Sequence, residues 1–329
     1  MTKHSPIVPP ESLLERAAAA YDLGSLFRTP EAAPVAVEPE PVAPVAEAIA
    51  EPVIEDAPEP ETVEYTPVEM VEPVAAPASL FAGRVETIDT VALAEAGFIV
   101  PGGPVTGISE EFRIVKRQLL QAAATDAGDA RARRILICSA LPGEGKTFCA
   151  VNLALSMAAE RDTEVLLVDA DFAKPSVLRT LGIDTDAGHP QRLGLMDAIA
   201  DPSIDIESCV IRTDVPNLSV LPAGRPAHHD TEYLASARTA KVLDALGRGH
   251  PGRIILFDSP PALAASPASV LATHVGRVLM VVRADQTSES ALRDAIGLLE
   301  GCADIRLLLN GVKFSVSGRR FGTYYGQGA

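Results

Sequence analysis

Residues 139–147 read Ser-Ala-Leu-Pro-Gly-Glu-Gly-Lys-Thr, between an apolar run at 134–138 and a helical pattern at 148–155. A buried strand, a glycine-rich turn and a helix in this order are typical of a phosphate-binding loop. The glycines let backbone N–H groups turn toward phosphate oxygens, Lys146 adds a positive charge, and the Thr147 hydroxyl can ligate Mg²⁺. The common pattern begins with Gly where this chain has Ala140. The residues predicted to contact a nucleotide here are Pro142, Gly143, Glu144, Gly145, Lys146, Thr147 and Phe148.

Two further apolar strands are followed by carboxylates. Asp169 and Asp171 end the run that begins at residue 164, and Asp258 ends the run that begins at residue 253. Ligands of an open parallel sheet bind beyond the carboxyl ends of its strands, so we expect these side chains to converge on the loop. Carboxylate oxygens suit Mg²⁺ beside the β- and γ-phosphates. One such Asp is more often a cap or turn residue, but two sites after a phosphate loop favour nucleotide chemistry.

The composition is uneven along the 329 residues. Residues 30–80 contain 11 prolines and 12 acidic residues but no Lys or Arg, so they carry most of the net charge of −16. Repeated Glu-Pro pairs sustain neither helices nor β-ladders, and their like charges favour an extended chain. We therefore predict an N-terminal segment with a short helix at 1–29, a disordered linker at 30–103, a folded domain at 104–318 and a flexible tail at 319–329.

No stretch of the sequence reaches the roughly 18 apolar residues of a membrane-spanning helix, and the N-terminus lacks the pattern of a signal sequence. We therefore expect a cytoplasmic protein. A nucleic-acid partner is not expected. The cysteines lack metal-ligand spacing, so we expect reduced thiols packed as small hydrophobic residues. They are Cys138, Cys149, Cys209 and Cys302.

From residue 104 onward, strand and helix patterns alternate. The predicted strands lie at 134–139, 165–168, 218–221, 254–257, 278–282 and 305–309. The predicted helices lie at 108–125, 147–160, 193–200, 231–246, 267–273 and 288–301. Near-continuous runs of Val, Ile and Leu between helices indicate a parallel sheet that is covered on both faces. The predicted fold class is α/β, a P-loop NTPase with a doubly wound parallel sheet.

These motifs resemble those of the bacterial tyrosine kinases of exopolysaccharide synthesis, in the branch associated with exosortase gene clusters. The stretches at 141–147, 168–176 and 257–261 are similar to the three nucleotide motifs of that family. The related cell-division and chromosome-partitioning ATPases carry a signature lysine where this chain has Leu141, which argues against them. The second motif of the kinases has a basic residue where this chain has Ala173.

The resemblance implies transfer of the γ-phosphoryl group of MgATP to a tyrosine hydroxyl. The implied catalytic residues are Lys146, Asp169, Asp171 and Asp258, and the implied metal ligands are Thr147 and the same three aspartates. Asp169 is the better candidate to orient or deprotonate the phenol. Asn310 stands where related proteins place an adenine-recognising amide, although an Asn before Gly is more often a turn residue.

Two further elements resemble parts of these kinases. Glu110, Arg113 and Lys116 resemble a Glu-x-x-Arg-x-x-Arg element that packs subunits into rings, and we expect them to share one helical face. The alternative is a solvated charged stripe. Tyr324 and Tyr325 lie among glycines near the C-terminus, and the resemblance implies that neighbouring subunits phosphorylate them; an aromatic anchor or a chance pair of tyrosines is the alternative.

The resemblance also implies partners. These are other copies of the chain in a ring-like homo-oligomer, and a separate membrane protein that activates the kinase, helps set polysaccharide chain length and recruits the chain to the inner membrane. Two other functions stay open on the sequence. One is a regulatory ATPase of the cell-division or partitioning kind, and the other is a non-catalytic nucleotide-binding regulator of the same polysaccharide machinery.

Overall fold

The computed structural model describes residues 85–126, 128–183, 192–225, 230–248 and 250–312. The predicted N-terminal helix, the linker as far as residue 84, and the tail with Tyr324 and Tyr325 lie outside the described residues. Among the helices that are described, none combines the length and the apolar character that crossing a membrane requires.

The described residues form one seven-stranded sheet in the order β3-β4-β2-β5-β1-β6-β7. All neighbouring strands are parallel except β3 and β4, which are antiparallel. The predicted α/β fold with a doubly wound sheet is therefore confirmed, and the short edge strand β3 is an addition that the sequence did not predict. The strands are β1 (Arg134–Ser139), β2 (Glu164–Asp169), β3 (Ile211–Arg212), β4 (Leu218–Leu221), β5 (Arg253–Asp258), β6 (Arg277–Arg283) and β7 (Ile305–Asn310).

Helices cover both faces of the sheet. They are α1 (Thr90–Glu95), α2 (Gly107–Thr125), α3 (Lys146–Ala158), α4 (Val177–Thr180), α5 (Leu195–Ala200), α6 (Asp230–Leu234), α7 (Ala237–Gly247), α8 (Pro267–Ala272) and α9 (Glu289–Leu298). One apolar core joins α1 to α4 to the first face, and a second joins α5 to α9 to the other. Continuous burial along β1, β5 and most of β6 follows from this two-sided cover.

Residues 85–103, which the sequence analysis assigns to the linker, are packed against the folded domain. Ile88 and Leu93 are buried in the first core, and the Ile99 N–H donates to Asn152 Oδ1 on α3 at 2.7 Å. The Phe98 ring lies 4.8 Å from that of Phe148. The Pro/Glu-rich composition ends near residue 80 and does not extend over residues 85–103, so the predicted linker is wrong for these residues.

The predicted helix at 231–246 is two helices, α6 and α7. They are separated at Ser236, which has an extended backbone and is the N-cap residue of α7. A Ser at this position can end one helix and begin the next without interrupting the apolar pattern on which the prediction rested. The other predicted helices and strands are present, with differences of a few residues at their ends.

Candidate active site

The loop at 139–147 connects β1 to α3 at the carboxyl edge of the sheet. Gly143 and Gly145 have φ of +80° and +93°, in the left-handed region that favours glycine. Gly145 is the N-cap residue of α3, and no side chain among the described residues caps this helix. The first N–H groups of α3 are therefore available to an anion, with the helix dipole in favour of negative charge.

Asp258 is buried at the end of β5, directly below this loop. Its Oδ2 accepts a hydrogen bond from the Thr147 hydroxyl at 2.6 Å, while its Oδ1 has no partner among the described residues. Burial raises the pKa of Asp258 to about 7, although the positive charge of Lys146 acts in the opposite direction. An unpartnered carboxylate oxygen beside a hydroxyl fits Mg²⁺, which binds one or two protein oxygens together with substrate phosphates and water.

Asp169 ends β2 and is the register partner of Asp258. It is buried, and it accepts N–H groups of Ser176 and Val177 at 2.8 and 2.9 Å, so it caps α4. Burial raises its pKa to about 6, and these hydrogen bonds offset only part of that effect. Asp169 therefore caps a helix, as a lone Asp often does, and also has a pKa of about 6, close to neutral pH.

Asp171 faces the loop lysine. Its Oδ2 lies 3.2 Å from Lys146 Nζ, and its Oδ1 accepts the Lys174 N–H at 3.1 Å. The structure thus brings Lys146, Thr147 and the three predicted aspartates to one edge of the sheet. Their roles as catalytic residues and metal ligands stay predictions.

Asn310 at the end of β7 lies against the loop. Its Nδ2 donates to the Glu144 carbonyl oxygen at 2.9 Å, and its Oδ1 accepts the Gly311 N–H at 2.9 Å. A Cβ at Gly145 would lie 2.2 Å from Asn310 Nδ2, so this close approach requires glycine. The amide therefore has local partners of the kind expected for an Asn before Gly, and its contact with adenine stays a prediction.

The three residues expected on one face of α2 are separated. Glu110 and Arg113 pair with each other, with Arg113 largely exposed. Lys116 is instead buried, where its Nζ donates to the Ser156 carbonyl oxygen at 2.8 Å and pairs with Glu160 at 2.7 Å. A spacing of three falls about 60° short of a full turn, so two such steps rotate Lys116 by about 120° from Glu110. The expectation of one shared face is therefore wrong for Lys116.

The sequence interpretation missed two residues beside the loop. Arg283 ends β6 and donates from Nη1 to the Gly143 carbonyl oxygen at 3.2 Å. Thr287 follows four residues later, and its hydroxyl donates to Glu144 Oε1. No motif marks either residue, but both lie at or just after the end of β6, a buried strand that neighbours β1. The strand-end rule that selected the aspartates could have selected them as well.

Residues 132–304, more than half of the chain, match the family model described as AAA domain. The chain therefore belongs to this family, and the site described above is its phosphate-binding loop with the neighbouring strand ends.

The relatives of the chain carry the names of bacterial tyrosine kinases. It is 30% identical over 213 residues to a Ralstonia solanacearum protein named EpsB and provisionally assigned as a tyrosine-protein kinase; the match covers 64% of this chain and 27% of the relative. It is 27% identical over 209 residues to the tyrosine-protein kinase YwqD of Bacillus subtilis, which covers 63% of this chain and 82% of that relative.

The match to EpsB thus spans about a quarter of that protein's length. Among solved structures, the kinase domain of the Escherichia coli tyrosine kinase ETK superimposes with a TM-score of 0.56. The alignment covers 73% of this chain and 87% of the ETK chain, at 22% identity. At that level of identity the likeness shows the fold.

Proposed function

We propose that this chain is an ATP-dependent tyrosine kinase that phosphorylates Tyr324 and Tyr325 in the tails of neighbouring copies. The observation that carries the proposal is the Oδ1 of buried Asp258, which has no hydrogen-bond partner in the described part of the chain and lies beside the Thr147 hydroxyl under the loop. A buried carboxylate oxygen without a partner costs free energy and is typical of a site that awaits a cation. The kinase names of the relatives support the reaction class.

In the proposed reaction, the first N–H groups of α3 and the Lys146 ammonium bind the phosphates. Lys146 exchanges its contact with Asp171 Oδ2 for the β- and γ-phosphates. Thr147 and Asp258 hold Mg²⁺, with Asp171 assisting at the metal. The ion supplies positive charge that neutralises the phosphates when it is bound.

Asp169 is the proposed base for the incoming tyrosine. A carboxyl group with a pKa of about 6 is mostly ionised at neutral pH and still accepts a proton more readily than an ordinary aspartate. A free phenol has a pKa near 10, so it needs such a neighbour to become nucleophilic. In the proposed step the phenol oxygen attacks the γ-phosphorus, its proton passes to Asp169, and ADP leaves.

The chain is proposed to act in a ring-like assembly in which the pair of half-buried Glu110 and exposed Arg113 faces a neighbouring copy. The proposed partner is a separate membrane protein that stimulates the kinase and recruits it to the inner membrane. On this proposal the chain regulates the synthesis or export of an exopolysaccharide.

Incubation of the purified full-length chain with MgATP, followed by a phosphotyrosine blot, tests the activity. We expect a signal that Lys146→Met abolishes, because the methionine has a similar length and lacks the charge that binds phosphate. A signal that survives in Lys146→Met would come from a contaminating kinase. No signal, even with the activating fragment of a membrane partner, would overturn the kinase proposal, and ATP hydrolysis without phosphotyrosine would favour the regulatory ATPase.

A mixture of two variants tests transfer between copies. The Lys146→Met chain supplies intact tails without activity, and a chain with Tyr324→Phe and Tyr325→Phe supplies activity without acceptors. We expect phosphotyrosine on the Lys146→Met chain in the mixture only. If each variant alone gives the same signal as the mixture, transfer to a neighbour's tail is excluded.

A further inference from the structure

The nucleotide loop of this chain contains an acidic residue, Glu144, between its two left-handed glycines. A carboxylate next to bound triphosphate repels it unless the side chain is held away from the phosphates. Glu144 is buried, with 2% of its surface exposed, and its Oε2 accepts the Leu141 N–H at 2.8 Å. One carboxylate oxygen therefore closes the loop on itself, and the second needs a partner from elsewhere.

That partner is Thr287, in the turn between β6 and α9. Its hydroxyl donates to Glu144 Oε1 and accepts the N–H of Arg283 at 2.8 Å. The Thr287 N–H in turn donates to the Arg283 carbonyl oxygen at 2.9 Å, so the turn is closed on both sides. The position of the hydroxyl is therefore fixed by backbone, and its only proton points to the carboxylate.

Two further contacts hold the same part of the loop. Arg283 Nη1 donates to the Gly143 carbonyl oxygen, and Asn310 Nδ2 donates to the Glu144 carbonyl oxygen. Arg283 and Asn310 are register partners at the ends of β6 and β7. The outer side of the loop is thus tied to the ends of β6, which neighbours β1, and of β7, which neighbours β6, and this leaves its N–H groups to face the nucleotide.

We propose that Thr287 is a positioning residue for nucleotide binding, which holds the Glu144 carboxylate away from the phosphates and fixes the loop in its binding conformation. Arg283 supports the same arrangement from the Gly143 side. This inference rests on the proposed nucleotide function and adds to it a residue outside the recognised motifs. Without the Thr287 hydroxyl, Glu144 Oε1 loses its donor, and the carboxylate turns toward water or toward the loop N–H groups that the phosphates need.

The test is the Kd of a fluorescent ATP analogue with Mg²⁺, measured on the full-length chain by titration. Thr287→Val keeps the shape and removes the hydroxyl, and we expect its Kd to rise about tenfold, because a buried carboxylate oxygen loses its hydrogen bond. Thr287→Ser restores a hydroxyl and should bind within about twofold of wild type. Rescue by serine separates a positioning role from a general loss of packing.

Thr239→Val is the matched control. Thr287 is half-buried and donates its hydroxyl to a carboxylate, whereas Thr239 on α7 is fully buried and donates its hydroxyl to the Tyr233 carbonyl oxygen at 3.0 Å, on the side of the sheet covered by α5 to α9. We expect this variant to lose stability in thermal unfolding and to keep the wild-type Kd. If Thr287→Val does not fold, Thr287→Ala is titrated in its place with the same expectation.

The outcomes are distinguishable. A wild-type chain that binds no nucleotide would overturn the proposed function and the role of Thr287 together. A wild-type chain that binds, with a Thr287 variant of equal Kd, would overturn the role of Thr287 alone. The role would also be overturned if Thr239→Val weakened binding as much as Thr287→Val, or if Thr287→Ser bound as weakly as Thr287→Val.

Discussion

The two edges of the sheet bury charge in opposite ways. At the amino edge, β1, β5 and β6 each begin with a buried arginine, and each guanidinium lies against at least one carboxylate. At the carboxyl edge, β2 and β5 end with buried Asp169 and Asp258, and within the described residues neither forms an ion pair. A paired buried charge supports the fold, whereas a buried carboxylate without a cation keeps its capacity for a ligand.

The amino-edge arginines differ in how completely they are satisfied. Arg253 donates to Glu164 from Nε and Nη2, and to Glu207 and the Leu246 carbonyl oxygen from Nη1. Arg277 pairs with Asp126 through Nη2, but its Nε lies 2.7 Å from Asp304 without hydrogen-bond geometry. Arg253 is therefore the better position at which to test whether the paired arginines of the amino edge stabilise the fold.

The largest effect is expected from Arg253→Gln. It leaves the carboxylates of Glu164 and Glu207 without their cation, and we expect a loss of roughly 3 kcal/mol in the free energy of unfolding. Urea unfolding followed by circular dichroism measures it. Arg293→Gln is the control, because Arg293 pairs with Glu289 at a site where both side chains are mostly exposed. There we expect less than about 0.5 kcal/mol. Equal losses in the two variants would contradict the comparison.

The second prediction makes the same type of substitution, Asp to Asn, at each edge and expects opposite changes in the free energy of unfolding. Burial raises the pKa of Asp258 to about 7, so its unfavourable ionisation weakens the folded state progressively from about pH 4 to pH 7. Without nucleotide or Mg²⁺, Asp258→Asn should therefore be more stable than wild type by about 2 kcal/mol at pH 8, and the gain should vanish near pH 4.

Asp244→Asn at the amino edge should do the reverse. It removes the carboxylate that lies against Arg134 Nη2, and we expect a loss of about 1 kcal/mol at pH 8, since Asp244 itself is half exposed. Urea unfolding of both variants at pH 5 and pH 8 gives the comparison. If both substitutions change the free energy of unfolding in the same direction at pH 8, the carboxylates at the two edges do not differ in their effect on stability, and the comparison is wrong.

The sequence predicts the site residues at the carboxyl edge better than the ion pairs at the amino edge. Lys146, Thr147, Asp169, Asp171 and Asp258 were all found there because the carboxyl ends of parallel strands are a known place for ligands. No comparable rule predicts what the first residues of parallel strands contact. Only the structure shows that the arginines at those positions are buried and which acids they contact.

Where the sequence interpretation failed, contacts between distant segments decide the structure. Lys116 has a charged sequence context, yet it is buried because Ser156 on α3 supplies an acceptor and Glu160, just after α3, supplies a counter-charge. The segment at 85–103 is short of regular pattern, yet it is packed because Asn152 binds the Ile99 N–H. Thr287 contacts Glu144 across 143 residues of sequence. Spacing along the chain does not encode such pairs.

The third prediction concerns the binding of nucleotide and Mg²⁺ at the carboxyl edge. Asp258 must be ionised to hold Mg²⁺, so with a pKa of about 7 the ionised fraction rises about tenfold between pH 6 and pH 8. The Mg²⁺-dependent affinity for nucleotide should rise by about the same factor. Fluorescence titrations of wild type and Asp258→Asn measure it, because the variant keeps the titration of the nucleotide itself and lacks that of Asp258. The same pH dependence in both chains would contradict the assignment of Asp258.

The smallest effect is expected from Glu164→Gln at the amino edge, and it sharpens the contrast in pH. Burial alone would raise the pKa of Glu164, but hydrogen bonds from Arg253 and His250 hold it below its ordinary value. A lowered carboxyl pKa contributes stability above the unfolded value, and that contribution is lost as the pH falls through the folded value. Because Glu164 is one-third exposed, we expect Glu164→Gln to cost about 1 kcal/mol at pH 7 and close to nothing near pH 3. Urea unfolding across this range measures the loss. If the loss in free energy of unfolding grew as the pH fell, the prediction that Glu164 has a lowered pKa would be wrong.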